Sequence, residues 1–182
     1  FNAPNQQKLA LRSTVLPRPF QQNGYRTALV GKWHLSGNSK DDWQLPGPLT
    51  RGFDECVAIT GGGSSFWAGA RVIRQEKFEK SPVYLTDLWG TEAADFIERN
   101  AKRPFFLYLA FNAVHAPLHA LDDDIAPFAK TIKDPNRRIY AGMQLAMDRA
   151  VGQVLDELDK QEIADDTIVI FLNDNGGGGS TE

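Results

Sequence analysis

The sequence predicts an α/β fold, a mostly parallel sheet flanked by helices, and three observations carry that prediction. Two continuous apolar runs, Pro104–Phe111 and Thr167–Leu172, have the composition of strands buried on both faces. Between them, Arg138–Lys160 repeats its apolar residues at helical spacing. Upstream, shorter strand-like runs alternate with helix-like ones, and that alternation favours parallel pairing.

Taken in order, a short helix is expected around Pro19–Asn23. Pro17 and Pro19 hold it to a turn or two, and Gly24 suits the position just past its end. Thr27-Ala-Leu-Val-Gly-Lys-Trp33 reads as a strand. Asp41–Arg51 contains Pro46, Gly47 and Pro48 and reads as loop. Glu55–Thr60 reads as a second strand, ending in the flexible run Gly61-Gly62-Gly63-Ser64-Ser65. Leu85, Leu88, Trp89, Glu92, Phe96 and Ile97 suggest a helix with one mainly apolar face, weakened by Gly90. In the long helix, Ile139, Met143, Met147, Ala150, Val151, Val154, Leu155 and Leu158 form the expected core stripe. Asp148, Arg149, Asp156 and Glu157 fall away from it. Asn38–Thr50 and Gly61–Lys80 read as loops.

The 182 residues fit one domain and can bury a real core. A net charge of −3 without a Lys/Arg run argues against a nucleic-acid partner. No apolar stretch approaches the ~18 residues of a membrane span. The single cysteine, Cys56, allows no internal disulfide and reads as a small buried hydrophobe. The first residues lack the pattern of a targeting leader, and the chain starts at Phe1, which reads as a cut end. Nothing in the sequence signals an oligomeric state.

In such sheets ligands bind beyond the carboxyl ends of the strands. Three polar clusters follow predicted strands: Lys32-Trp33-His34, Asn112–His115 and Asn173-Asp174-Asn175. Alternation puts Lys32 and His34 on one face and Trp33 on the other. Lysine offers a point charge for an oxyanion, and histidine can pass a proton near neutral pH. An exposed lysine beside a half-buried histidine is the plainer alternative. His115 is either a general acid for a leaving group or a polar residue closing a loop. His119 is either structural or substrate-facing. Asp174 and Asn175 offer two hard oxygens for Ca²⁺ or Mg²⁺, while Asn175-Gly176 equally suits a tight turn.

Joined in this order, the clusters resemble the sulfatase family. Gly24-Tyr-Arg-Thr-Ala-Leu-Val-Gly-Lys-Trp-His-Leu35 looks like its G-Y-x-T-x-x-x-G-K-W-H-L signature. Arg51-Gly-Phe-Asp54 is similar to the segment that follows it. Pro104–Leu118 looks like the family's strand and H-x-P-L loop, and Tyr140–Gly176 resembles its helix, strand and D-N-G metal segment. The resemblance implies an alkaline-phosphatase-like sheet, here truncated at both ends, with residues 1–182 forming part of a catalytic domain. It implies sulfate-ester hydrolysis by a formylglycine nucleophile and one divalent cation, usually Ca²⁺, on a sulfated small molecule or carbohydrate. By resemblance Lys32 would hold the sulfate, and His34 would contact the formylglycine and take its proton. His115 would help protonate the leaving alcohol, and Asp174 and Asn175 would bind the metal. The resemblance also implies a periplasmic or secreted location. No Cys or Ser here lies in the C/S-x-P-x-R pattern of the formylglycine precursor, and the early Asp-Asp metal pair is absent. The nucleophile is therefore expected in a segment N-terminal to this chain. Two alternatives remain at this point: a phosphomonoester or phosphonate hydrolase of the same superfamily, and a non-enzymatic sulfatase-like binding module.

Overall fold

The computed structural model describes residues 9–10, 12–36, 47–61 and 63–173. Eleven elements follow one another. They are α1 (Pro17–Gln22), β1 (Arg26–Lys32), a 3-10 turn (Pro48–Arg51), β2 (Glu55–Ile59), β3 (Arg71–Arg74), β4 (Lys77–Lys80), α2 (Leu85–Asn100), β5 (Phe105–Ala110), α3 (Asp122–Ile125), a second 3-10 turn (Ala126–Phe128) and α4 (Pro135–Lys160). The strands form one sheet in the order β4-β3-β2-β1-β5. β1 is parallel to both β2 and β5, while β2–β3 and β3–β4 pair antiparallel.

The antiparallel half lies inside the stretch read as loop. Its strands are four residues each and rich in Arg, Lys and Glu, and β4 is exposed throughout. The turn between them uses Gln75 at φ +55° in place of the usual Gly or Asn. Both features hide a hairpin from pattern reading.

Two cores pack on opposite faces of the sheet. On one, Val30, Val57 and Ile59 meet Leu85, Leu88 and Trp89 of α2 and Met143 and Ala146 of α4. On the other, Leu29, Cys56, Ala58 and Ile73 gather Trp33 and Phe53, with Leu49 and Phe106 against them. Phe20 of α1 stacks on Phe106 at 4.6 Å between centroids, so the short helix covers this second face. Each fully buried Val, Leu, Ile or Met among these stabilises the fold by roughly 1.5–3 kcal/mol, and each alanine by less.

Asp54 ties α1 to the sheet. Its carboxylate accepts from Gln21 Nε2 at 2.7 Å and from the backbone N–H and hydroxyl of Thr27, each at 3.0 Å. Burial pushes its pKa up, but these bonds and the charge of Arg26 outweigh that and hold it below the usual value. Arg51, buried, spends its guanidinium on the carbonyls of Leu9, Ala10 and Ser13.

Both long helices start close to where the sequence puts them. Asp134 caps α4, accepting from Arg137 N–H at 2.8 Å, and Pro135 fills its first position. Gly90, read as a weakness of α2, has a packing role. A Cβ there would lie 2.9 Å from Ala150 Cβ and 3.0 Å from its Cα, so the missing side chain lets α2 and α4 cross closely. The core line of α4 runs through Gly142, Met143, Ala146, Ala150 and Leu158, and Leu155 of the expected stripe is 43% exposed.

Two expectations of doubly buried strands fail. β5 is an edge strand: it pairs with β1 alone among the described residues, and Tyr108 is 51% exposed. Thr167–Leu172 forms no strand, and Ile168 to Leu172 are 55–89% exposed. An apolar run becomes a strand only when another edge supplies its hydrogen bonds, and no described segment does so here.

Candidate functional site

Because β1, β2 and β5 run parallel, their carboxyl ends share one rim. The register sets Lys32 beside Ile59 of β2, and Gly31 beside Ala110 of β5. Lys32–His34 and Asn112–His115 therefore leave neighbouring strands at the same edge. Of the third expected cluster, Asn173 is exposed, and Asp174 and Asn175 lie outside the described residues.

Gly31 makes the junction of β1 and β5 possible. It sits at φ +112°, and an added Cβ would stand 2.0 Å from the carbonyl oxygen of Ala110. Past it, the chain is pinned by Trp33. The indole is buried in the second core and donates to Ser36 Oγ at 2.7 Å, and Trp33 N–H donates to Ile59 O at 2.9 Å. Lys32 and His34 flank this anchor, each half-buried. The Lys32 ammonium forms no ion pair or hydrogen bond with a described residue, leaving a cation at the rim with no described carboxylate against it.

After β5 the chain enters a tight loop with cis peptide bonds at Ala113–Val114 and Ala116–Pro117. Asn112 is buried at its base. Its Oδ1 accepts from Trp89 Nε1 at 2.8 Å, while its Nδ2 has no partner among the described residues. His115 N–H donates to Asn112 O at 2.9 Å, and the ring itself is exposed. Nδ1 lies 2.7 Å from Ala116 O. A carbonyl only accepts, so Nδ1 carries the hydrogen and Nε2 is the nitrogen left to exchange a proton.

His119 has the opposite polarity. Its Nδ1 accepts from Phe66 N–H at 3.4 Å, which puts the hydrogen of the neutral ring on Nε2. Its ring stacks on Trp67, with centroids 5.2 Å apart and planes inclined by 26°. Its backbone carbonyl accepts from the Tyr84 hydroxyl at 2.7 Å. Burial pushes the Tyr84 phenol up. Trp67 and Tyr84 were missed in the sequence. The available signal was the pair Phe66-Trp67, two large aromatics directly after a Gly/Ser run.

Two other features lie away from this rim. A cavity of about 210 Å³ opens at the amino ends of β1 and β2, lined by Arg26, Glu55, Arg74, Glu92 and Arg99 among others. Its charges are paired with one another: Glu55 takes Arg26 and Arg99, each at 2.9 Å, and Glu92 takes Arg74 at 2.5 Å. Cys56 is 1% exposed, and burial pushes its thiol up to about 11, so it is inert as a nucleophile. Among the described residues, no three His, Cys, Asp or Glu converge as a metal donor set. No described helix is long and apolar enough to cross a membrane.

Comparison with known proteins agrees with the motifs. The family model described as Sulfatase matches residues 1–181. The sulfatase YdeN of Escherichia coli K12 is 30% identical over 202 aligned residues, covering 96% of this chain and 35% of the relative. N-acetylgalactosamine-6-sulfatase of Homo sapiens is 30% identical, covering 89% of this chain and 32% of the relative. Among solved structures, Ps i-CgsB in complex with k-i-k-neocarrahexaose is 32% identical, with a TM-score of 0.78 over 86% of this chain and 39% of that one. The structure of yidJ from Bacteroides fragilis shares the fold at 18% identity, with a TM-score of 0.74 over 87% of this chain and 42% of that one. The chain thus spans about a third of the length of the curated relatives it matches.

Proposed function

The chain belongs to the sulfatase family, and from that premise we propose that it supplies part of the sulfate cradle of a sulfuric ester hydrolase. One observation carries the reading: Lys32 and His115 leave adjacent parallel strands at one rim, the lysine with no anionic partner among the described residues. A free ammonium at a half-buried strand end attracts an oxyanion more strongly than one in bulk water. His115, with its Nδ1 hydrogen fixed on Ala116 O, has Nε2 left to take up a second proton and, as the imidazolium, to give it to a departing alcohol. His34, beside Lys32, would be the base that accepts a hydroxyl proton from the formylglycine hydrate.

Family membership implies a divalent cation and a formylglycine, which when present would supply charge neutralisation and the attacking oxygen. Asp174 and Asn175 are proposed as two oxygen ligands of Ca²⁺ or Mg²⁺, fewer than the 6–8 that Ca²⁺ takes. The 182 residues hold no formylglycine precursor pattern, so this chain by itself is expected to bind a sulfate ester without turning it over. The similarity to Ps i-CgsB, solved in complex with k-i-k-neocarrahexaose, favours a sulfated carbohydrate as substrate.

The test is hydrolysis of an aryl sulfate by the chain extended to the length of its relatives. Ca²⁺-dependent turnover that falls at least about 100-fold in Lys32→Ala is expected. Full activity in Lys32→Ala, or turnover of a phosphate ester in preference to the sulfate, would overturn the assignment. So would turnover by the 182-residue chain above a His34→Ala control.

A further inference from the structure

We propose that Trp67 and His119 form a platform that binds a sugar ring of the substrate beside the sulfate cradle, an inference that rests on the sulfated-carbohydrate reading above. The platform joins two loops that rise from the same rim. One follows β2, whose last residue, Ile59, is the register partner of Lys32. The other follows β5 and carries His115 four residues before His119. The bond from Phe66 N–H to His119 Nδ1 locks the two loops together across the end of β1.

Each part of this arrangement serves to hold an indole in place while leaving it in solvent. Phe66 is buried, 1% exposed, and stacks with Tyr84 at 6.0 Å. Tyr84 is also buried, lies 5.9 Å from the Trp67 ring, and fixes the His119 backbone through its hydroxyl. Trp67, the adjoining aromatic, remains 41% exposed on this rigid base. A large aromatic with only two side-chain torsions, already ordered by neighbours, loses little freedom when a ligand covers it. The pyranose ring is the ligand that fits: its C–H face is apolar enough to lie on an indole, and its hydroxyls need donors at the edge. His119 offers one, since its neutral tautomer points the hydrogen to Nε2, away from Phe66. Neither residue supplies charge, so the platform reads the sugar and leaves the sulfate to Lys32.

The two contributions separate in a titration of this chain, followed by its indole N–H resonances, with k-i-k-neocarrahexaose and with the same hexasaccharide after chemical desulfation. Trp67→Ala is expected to weaken both ligands by about ten-fold, and Trp67→Phe to keep most of the affinity. Lys32→Ala is expected to weaken the sulfated ligand alone. Equal affinity of wild type and Trp67→Ala for the desulfated ligand, with dispersed amide spectra for both, would overturn the platform. So would the failure of wild type to bind either ligand at about 10 mM. If Lys32→Ala keeps the preference for the sulfated ligand, the cradle fails and the platform stands.

Discussion

Gly31 faces the carbonyl oxygen of Ala110 so closely that a methyl group in place of its hydrogen would stand 2.0 Å from that oxygen. Backbone cannot retreat as a side-chain tip can, and φ is +112° as well. Gly31→Ala is therefore expected to cost about 3 kcal/mol or more, as strain and overpacking combined. Gly24→Ala is the control: φ is +82°, but nothing lies within 4 Å, so only the left-handed penalty of about 1–2 kcal/mol applies. Urea midpoints of the two variants check this, and equal losses would contradict it.

A second glycine tests the helix crossing. On propensity alone Gly90→Ala should gain up to about 1 kcal/mol. Its methyl would meet Ala150 at 2.9 Å and Gln153 Oε1 at 2.3 Å. The glutamine tip can swing away, whereas Ala150 belongs to the α4 core line and cannot. Overpacking of about 1–3 kcal/mol is expected to win. Pairing Gly90→Ala with Ala150→Gly should recover most of the loss, which a double-mutant cycle would measure.

These two glycines also mark how far the sequence could be read. Central elements with strong periodicity, β1, β2, α2 and α4, were legible because burial of one face or both leaves an apolar signal. Gly31 and Gly90 were visible as residues, but their use depends on what approaches from another element, and no local pattern encodes that. The β3–β4 hairpin was not legible, since four-residue charged strands on an exposed edge bury too little to impose alternation. On the rim, the positions of Lys32, His34 and His115 were legible from the strand ends they follow, and their roles are the proposal made above. The contact between Trp67 and His119 was not legible, because it joins loops 52 positions apart.

Opposite tautomers of two nearby histidines are a direct check on the rim geometry. In alkaline buffer, where imidazoles are neutral, His115 is expected to carry its hydrogen on Nδ1 and His119 on Nε2. The nitrogen shifts of the two rings distinguish these states. Finding His119 as the Nδ1–H tautomer would mean that Phe66 N–H does not bond to it, and the loop lock would be lost.

The buried thiol gives the alkaline limit of stability a definite sign. Burial raises the Cys56 pKa from 9.0 to about 11. Between those values the unfolded chain ionises while the folded chain keeps its proton, so folding weakens as pH rises. Cys56 contributes fully below pH 9.0 and loses roughly 2–3 kcal/mol by the time the pH passes the folded value. Lys and Tyr groups titrate in the same range, so the quantity to follow is the stability difference between wild type and Cys56→Ala. It should shrink steadily from about pH 8 upward. A difference independent of pH would show the thiol to be solvated.

The most exposed apolar surface lies near the carboxyl end of the described chain. Ile168, Val169, Ile170, Phe171 and Leu172 are each more than half exposed, and the outer edge of β5 pairs with no described strand. A β-branched run free of charge and an open parallel-sheet edge are each a template for strand addition. Together they are expected to let the 182-residue chain, taken by itself, associate with copies of itself, one molecule's run adding to another's edge. Light scattering should therefore show mass that rises with concentration. Placing a charge within the run, Ile170→Lys, should restore the monomer without changing the urea midpoint, since Ile170 is 72% exposed and contributes little to the core. A monomeric wild type at all concentrations would mean that the run is covered, and an Ile170→Lys variant that unfolds would mean that it packs into the core.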